Sequence, residues 1–151
     1  MNPPARDKEP TAKEEVIFAP ELFTRPHDPA DEPMLRGSEC PTCKAVFFPA
    51  RAVCPRCFEE GALKVRELCG RGRIYASTVV MITAPVGIKA PYAYGYVDLA
   101  DSGLRVFALF SGADPQWFVP GRDVELTVGP IRLNQAGQEV IGYKFRPADK
   151  G

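Results

Sequence analysis

At 151 residues the chain has room for one modest domain or two small ones, and its 45% hydrophobic and 25% charged residues place it among ordinary soluble globular proteins. Nineteen basic residues balance nineteen acidic ones, with a sequence pI near 6.6, which argues against a dedicated nucleic-acid binder with a basic stripe. No apolar run approaches a membrane span, and the N-terminal "MNPPARDKEPTAKEE" lacks the apolar stretch of a secretion signal, so a cytoplasmic protein is expected.

The first segment, residues 1–34, is rich in proline, with Pro3, Pro4, Pro10, Pro20, Pro26, Pro29 and Pro33. Proline removes amide donors and biases the residue before it toward extended backbone, so an extended arm is expected, ordered against a partner. Only "TAKEEVIF", Thr11 to Phe18, reads as a short helix, with Thr11 as N-cap and Glu14 completing a capping box.

The second segment, residues 35–68, holds "CPTCKAVFFPARAVCPRC". Each C-x-x-C turn presents two sulfurs to one metal, and Cys40, Cys43, Cys54 and Cys57 together complete a tetrahedron for Zn²⁺. Four protein ligands leave no open position for water or substrate, so such a site is structural. In a reducing compartment disulfides are uncommon, which leaves metal binding or redox work as the alternatives. A thioredoxin-like pair belongs in a strand-to-helix setting that is missing here, while an iron-sulfur cluster is also held by four thiolates. The linker "KAVFFPARAV" is long enough for a small hairpin that brings the two turns together.

From residue 69 to 148 the pattern changes to strands: "RIYASTVVMIT", "YAYGYVDLA", "LRVFALFSG", "DVELTVGPIRLN" and "EVIGYKFRP". Asp101-Ser102-Gly103 and "NQAGQ" mark hairpin turns, and "ADPQWFVPG" leaves room for one helical turn at most. Residues 149–151 form a tail. Five strands with these joints predict a small antiparallel barrel, either an OB-fold or an SH3-like barrel.

The inventory for catalysis is thin. His27 is the only histidine and lies in the arm, while Cys69, the odd cysteine, reads as a half-buried residue at the junction of the two modules. "GRGR", Gly70 to Arg73, lacks the ending of a phosphate loop and reads as a sharp turn into the barrel. Tyr75, Tyr92, Tyr94, Tyr96, Phe107 and Trp117 would suit base stacking, but without nearby basic excess they read as core or protein-interface residues.

The order of "CPTCKAVFFPARAVCPRC", "GRGRIYASTVV", "APYAYGYVDLADSGLRVFALFSG", "PGRDVELTV" and the terminal "FRPA" resembles a family of zinc-ribbon, OB-fold proteins associated with acyl-CoA enzymes, long catalogued as a domain of unknown function. The resemblance implies a rubredoxin-like ribbon followed by a five-stranded OB barrel. It implies a non-catalytic subunit in a hetero-oligomer, whose thiolase-fold partner supplies the catalytic residues for C–C bond cleavage or formation on a CoA thioester. Family members accompany acetoacetyl-CoA thiolase, aldolases of steroid side-chain degradation and thiolases of anaerobic aromatic breakdown. By this resemblance Cys40, Cys43, Cys54 and Cys57 hold one zinc; CoA contact is expected at the loop Gly87, Ile88 and Lys89 between the first two barrel strands, with Arg51 and Arg71 as phosphate partners. Two departures stand out: relatives carry a helix where "PELFTRPHDPADEPMLRG" is proline-rich, and "CPRCFEEGAL" lacks the Gly-Ser that often follows the last ligand. Rival readings are a single-stranded nucleic-acid-binding OB module and a stand-alone thioesterase using Asp98 or Asp101.

Overall fold

The computed structural model describes residues 15–25, 31–58 and 63–148, which form a small ribbon sheet and a closed barrel. The ribbon holds three strands: β2 (Leu35–Glu39), β3 (Val46–Phe47) and β4 (Lys64–Leu68), in the order β3-β2-β4. β2 pairs antiparallel with both neighbours, with Leu35 opposite Leu68 and Ser38 opposite Phe47. The linker after Cys43 is thus not a self-contained hairpin. Its two strand residues add to β2, because the first cysteine turn itself serves as the bend between β2 and β3.

The barrel is built from β5 (Arg71–Val80), β6 (Tyr92–Leu99), β7 (Arg105–Phe110), β8 (Asp123–Leu133) and β9 (Glu139–Pro147). β5, β6 and β7 form an antiparallel meander, β8 pairs with both β5 and β9, and β9 closes on β7 in parallel through Phe110 and Phe145. This closed circuit with one parallel seam is the OB-fold, and it resolves the choice between the two barrels. The expected turns are present. Gly103, with φ 70°, ends the β6–β7 turn, and a single 3-10 turn at Pro115–Trp117 crosses between β7 and β8 with Asp114 accepting from the Gln116 amide.

Alternation along the strands explains the closure. Ala93, Val97 and Leu99 of β6, Val106, Ala108 and Phe110 of β7, and Val124 and Leu126 of β8 are all buried. Bulges bend the barrel at Tyr75 in β5 and at Ile131 in β8, the latter beside Pro130, which has no amide to give a ladder. Gly95 lies where β5 crosses β6 so closely that any Cβ would collide with the Ala76 carbonyl. The glycines of "GRGR" also act by close approach: neither has positive φ, Gly72 lies inside β5, and a Cβ there would sit 2.5 Å from the Asp98 carbonyl oxygen. The turn expected at this stretch is confined to a bend at Gly70, between β4 and β5, and Gly72 already belongs to the strand.

Ribbon and barrel share one core. Leu35 and Leu68 are fully buried in the same cluster as Ile74, Val97 and Phe145, and Phe48 of the ribbon packs edge-on to Tyr143 of β9 at 6.0 Å.

The N-terminal segment departs from its reading. Val16–Ile17 is a strand, β1, lying parallel to β9 against Val140 and Ile141, where a helix was expected from Thr11 to Phe18. Two consecutive β-branched residues beside an open strand edge gain ladder bonds there that an isolated helical turn does not offer. Thr11 and Glu14, the expected cap, lie outside the described residues. The described part of the arm is docked on its own chain: Phe23 is buried in the core, Thr24 and Met34 exchange hydrogen bonds, and Arg25 pairs with Glu15 at 2.9 Å. Among the described residues no helix is long and apolar enough to cross a membrane.

Candidate functional site

The two cysteine turns are built alike. In the first, Lys44 N–H donates to the Cys40 carbonyl at 2.9 Å, and in the second Phe58 N–H donates to the Cys54 carbonyl at 2.9 Å. Pro41 and Pro55 fix the entry to each turn, and Lys44 and Phe58 leave it in the left-handed region with φ 64° and 57°. Phe58 holds this conformation without the glycine that the resemblance leads one to expect, so the turn geometry survives that departure.

The four sulfurs lie within 4.8 Å of one another, with Cys40 Sγ 3.6 Å from Cys57 Sγ and Cys43 Sγ 3.6 Å from Cys54 Sγ. A disulfide would need about 2.05 Å, and a tetrahedron of thiolates on Zn²⁺ at ~2.3 Å sets its sulfurs about 3.8 Å apart. The arrangement fits one ion. A cluster of several irons spreads its thiolates over different metal atoms and needs a wider frame.

Local hydrogen bonding prepares the site. The amide of Cys43, 3.5 Å from Cys40 Sγ, lowers the Cys40 thiol against the opposing effect of burial. Burial pushes the Cys54 thiol up, but the amides of Cys57 and Arg56 and the Cys43 thiol outweigh it and bring Cys54 down to about 6. At Cys43 the Ala45 amide lowers the thiol, yet burial and the neighbouring thiols prevail and raise it. Two of the thiols are thus lowered and one raised, and a divalent cation bound here would displace the protons that remain.

The residues expected to touch CoA do not share one place. Gly87, Ile88 and Lys89 form the loop between β5 and β6; Gly87, at φ 103°, lies against the Leu133 carbonyl where a side chain has no room. Gly87 lines an open groove of about 680 Å³ with Val86, Arg132, Asn134 and Gln135. Arg71 starts β5 and pairs with Glu125 of β8, eight residues before Leu133. At ~3.3 Å per residue it therefore lies up to about 26 Å along β8 from the loop. Its guanidinium is bound to Glu32 at 2.9 Å, which holds it firmly protonated. Arg51 sits on the ribbon, its amide donating to the buried Ser38 hydroxyl at 3.0 Å.

The other candidates are structural in their contacts. Asp98 accepts two hydrogen bonds from Arg105, at 2.7 and 3.2 Å, which lower its carboxyl below the ordinary range. Asp101 accepts from the half-buried Cys69 amide at 3.2 Å. His27 lies outside the described residues. The Arg105 stack over Tyr75, 3.3 Å from the ring centroid, escaped the sequence reading; its only signal was an Arg–Asp pair flanking the Asp-Ser-Gly turn.

Comparisons with known proteins agree with this architecture. The family model for the ChsH2 rubredoxin-like zinc ribbon domain matches residues 27–63, and that for the ChsH2 C-terminal OB-fold domain matches residues 65–129. The benzoylsuccinyl-CoA thiolase subunit BbsA of Thauera aromatica is 39% identical over 141 residues, 93% of this chain and 94% of that protein. Its Geobacter metallireducens counterpart is 33% identical over 93% and 90% of the two chains. A DUF35 domain-containing scaffold protein of Methanothermobacter thermautotrophicus is 34% identical over 75% of this chain and 86% of its own. Among solved structures, the Ltp2-ChsH2(DUF35) aldolase superposes with a TM-score of 0.61 at 24% identity, covering 77% of this chain and 86% of that one, a likeness of fold. The chain belongs to the ChsH2-type DUF35 family of zinc-ribbon, OB-fold proteins.

Proposed function

We propose that this protein is a non-catalytic accessory subunit of a thiolase-type acyl-CoA enzyme, holding one structural zinc through Cys40, Cys43, Cys54 and Cys57. The observation that carries the reading is the 39% identity, over nearly the full length of both chains, to a subunit of benzoylsuccinyl-CoA thiolase. The residue inventory supports it: four of five cysteines are gathered at the metal site, and the chain has one histidine. Thiolytic cleavage needs a nucleophilic thiol with a base beside it, and in this reading the thiolase-fold partner supplies both.

The zinc would act as a staple. Leu35 and Leu68 anchor the base of the ribbon in the shared core, while its cysteine end has no apolar core of its own and would be held by four metal–sulfur bonds. CoA would be met by the Gly87–Ile88–Lys89 loop, beside the groove that Gly87 lines with Arg132 and Asn134, with Lys89 offering a cation to a phosphate. Arg71 is committed to Glu32, and Arg51 belongs to the ribbon, so neither is needed in this contact.

Co-expression with the thiolase-fold subunit of the source organism tests the proposal, with benzoylsuccinyl-CoA as the first substrate. Expected are a stable complex, CoA-dependent cleavage only when both subunits are present, and no thioesterase or thiolase turnover by this chain alone. Full activity in the partner alone, or turnover by the isolated chain, would refute it.

A further inference from the structure

We infer that the outward face of β5, β6 and β7, continued by the first residues of the loop after β5, is the surface on which the thiolase-fold partner docks. This inference rests on the accessory-subunit reading above.

The face breaks the usual rule for an antiparallel sheet. Inward residues of β6 are small or aliphatic, and the outward ones, which should be polar if they met water, are Tyr92, Tyr94 and Tyr96. Their cross-strand partners are Phe107 and Leu109 on β7 and Val80 and Thr78 on β5. The rings touch in series, at 6.4 Å for Tyr92–Tyr94, 5.3 Å for Tyr94–Phe107 and 5.7 Å for Tyr96–Phe107. Beyond Val80 the stripe runs into Met81 and Ile82, which are 70% and 79% exposed.

Size and charge indicate the occupant. Tyr75, Tyr96 and Phe107 are each about half exposed. With Met81 and Ile82, at ~200 Å² per large side chain, they offer roughly 600 Å² of apolar surface. That is at the upper end of what a monomer shows, and it would supply most of the ~800 Å² that each partner contributes to a standard interface. Residues 74–82, 92–97 and 106–110 contain no charged side chain. At the border Arg105 is already spent on Asp98 and on the Tyr75 ring. A nucleic acid would meet aromatic rings without a cation for its phosphates, whereas an uncharged apolar patch of a protein partner is matched by aromatic anchors inside a paired-charge rim. In the accessory-subunit reading that protein is the thiolase-fold chain, in keeping with relatives named as thiolase subunits.

The test measures affinity of the full chain for the thiolase-fold subunit with two substitutions on the face, Ile82→Asp just after β5 and Phe107→Ser on β7, and one control, Val65→Asp. Val65 lies on ribbon strand β4, 73% exposed and off the face. Metal content and thermal unfolding verify that each variant is folded; Ile82 is so exposed that its change cannot disturb the core. Ile82→Asp and Phe107→Ser should each weaken binding on the order of 30-fold, as loss of a central anchor does, while Val65→Asp leaves it unchanged. Wild-type affinity in both face variants would overturn the docking face and leave the accessory reading standing. Failure of the unaltered chain to bind the partner would overturn both. Self-association through the face, or salt-sensitive oligonucleotide binding that Phe107→Ser abolishes, would assign it to another occupant and overturn the inference.

Discussion

Lys44 and Phe58 hold the same left-handed backbone conformation, φ 64° and 57°, each one residue past the second cysteine of its turn. Two segments of different sequence thus reach one geometry, and each sends an amide back to the carbonyl of its first cysteine. Side chains with a Cβ resist this region, and a metal bound by the four cysteines would hold both turns in it.

The first prediction concerns the metal. The purified protein should carry one zinc per chain, and Cys54→Ser should bring the metal content toward zero while the ribbon loses its fold. Structural zinc contributes apparent binding energies of about 10–16 kcal/mol in small modules, far more than three short strands supply. Elemental analysis with circular dichroism before and after chelation checks this; an intact fold and full metal content in Cys54→Ser would contradict it.

The shared core gives a second expectation. Leu68, fully buried opposite Leu35, lies in the same cluster as barrel residues Ile74 and Val97. Leu68→Ala should cost about 2–5 kcal/mol and lower a single unfolding transition that includes the barrel. Calorimetry showing an unchanged barrel transition with only a ribbon shoulder lost would separate the two cores.

A third expectation follows from close packing at Gly95. A methyl group there must enter the space of the Ala76 carbonyl, which cannot swing aside as a flexible side chain would. Gly95→Ala should destabilise the protein by about 1–3 kcal/mol, measured by denaturant unfolding. Gly103, whose Cβ would meet open space but whose φ is 70°, serves as a comparison for strain without collision.

Alkaline behaviour should be governed in part by Tyr143. Burial pushes its phenol up to about 12, while its hydroxyl donates to the Phe107 carbonyl at 2.9 Å. The folded value lies above the unfolded one of about 10, so the stabilisation is full below pH ~10 and is lost as pH rises through the folded value. Phenolate absorbance should show one late-ionising tyrosine that Tyr143→Phe removes, and the variant should have a flatter alkaline stability limb. A titration that is identical in the variant would contradict the assignment.

Much of this protein is local and legible from the order of its residues. C-x-x-C spacing brings two sulfurs together within one turn, alternation of apolar residues declares a strand, and Asp-Ser-Gly closes a hairpin, because each depends on neighbours a few residues away. The rest came from long-range pairing. It closed β9 on β7 in parallel, made a strand of Val16–Ile17 by offering it the edge of β9, and set Arg71 far from the Gly87 loop at the other reach of β8. It also turned three alternating tyrosines outward, although alternation marks two faces without saying which is the inner one. Such relations join residues far apart in the chain, and they exist only once strand register and barrel closure place them side by side.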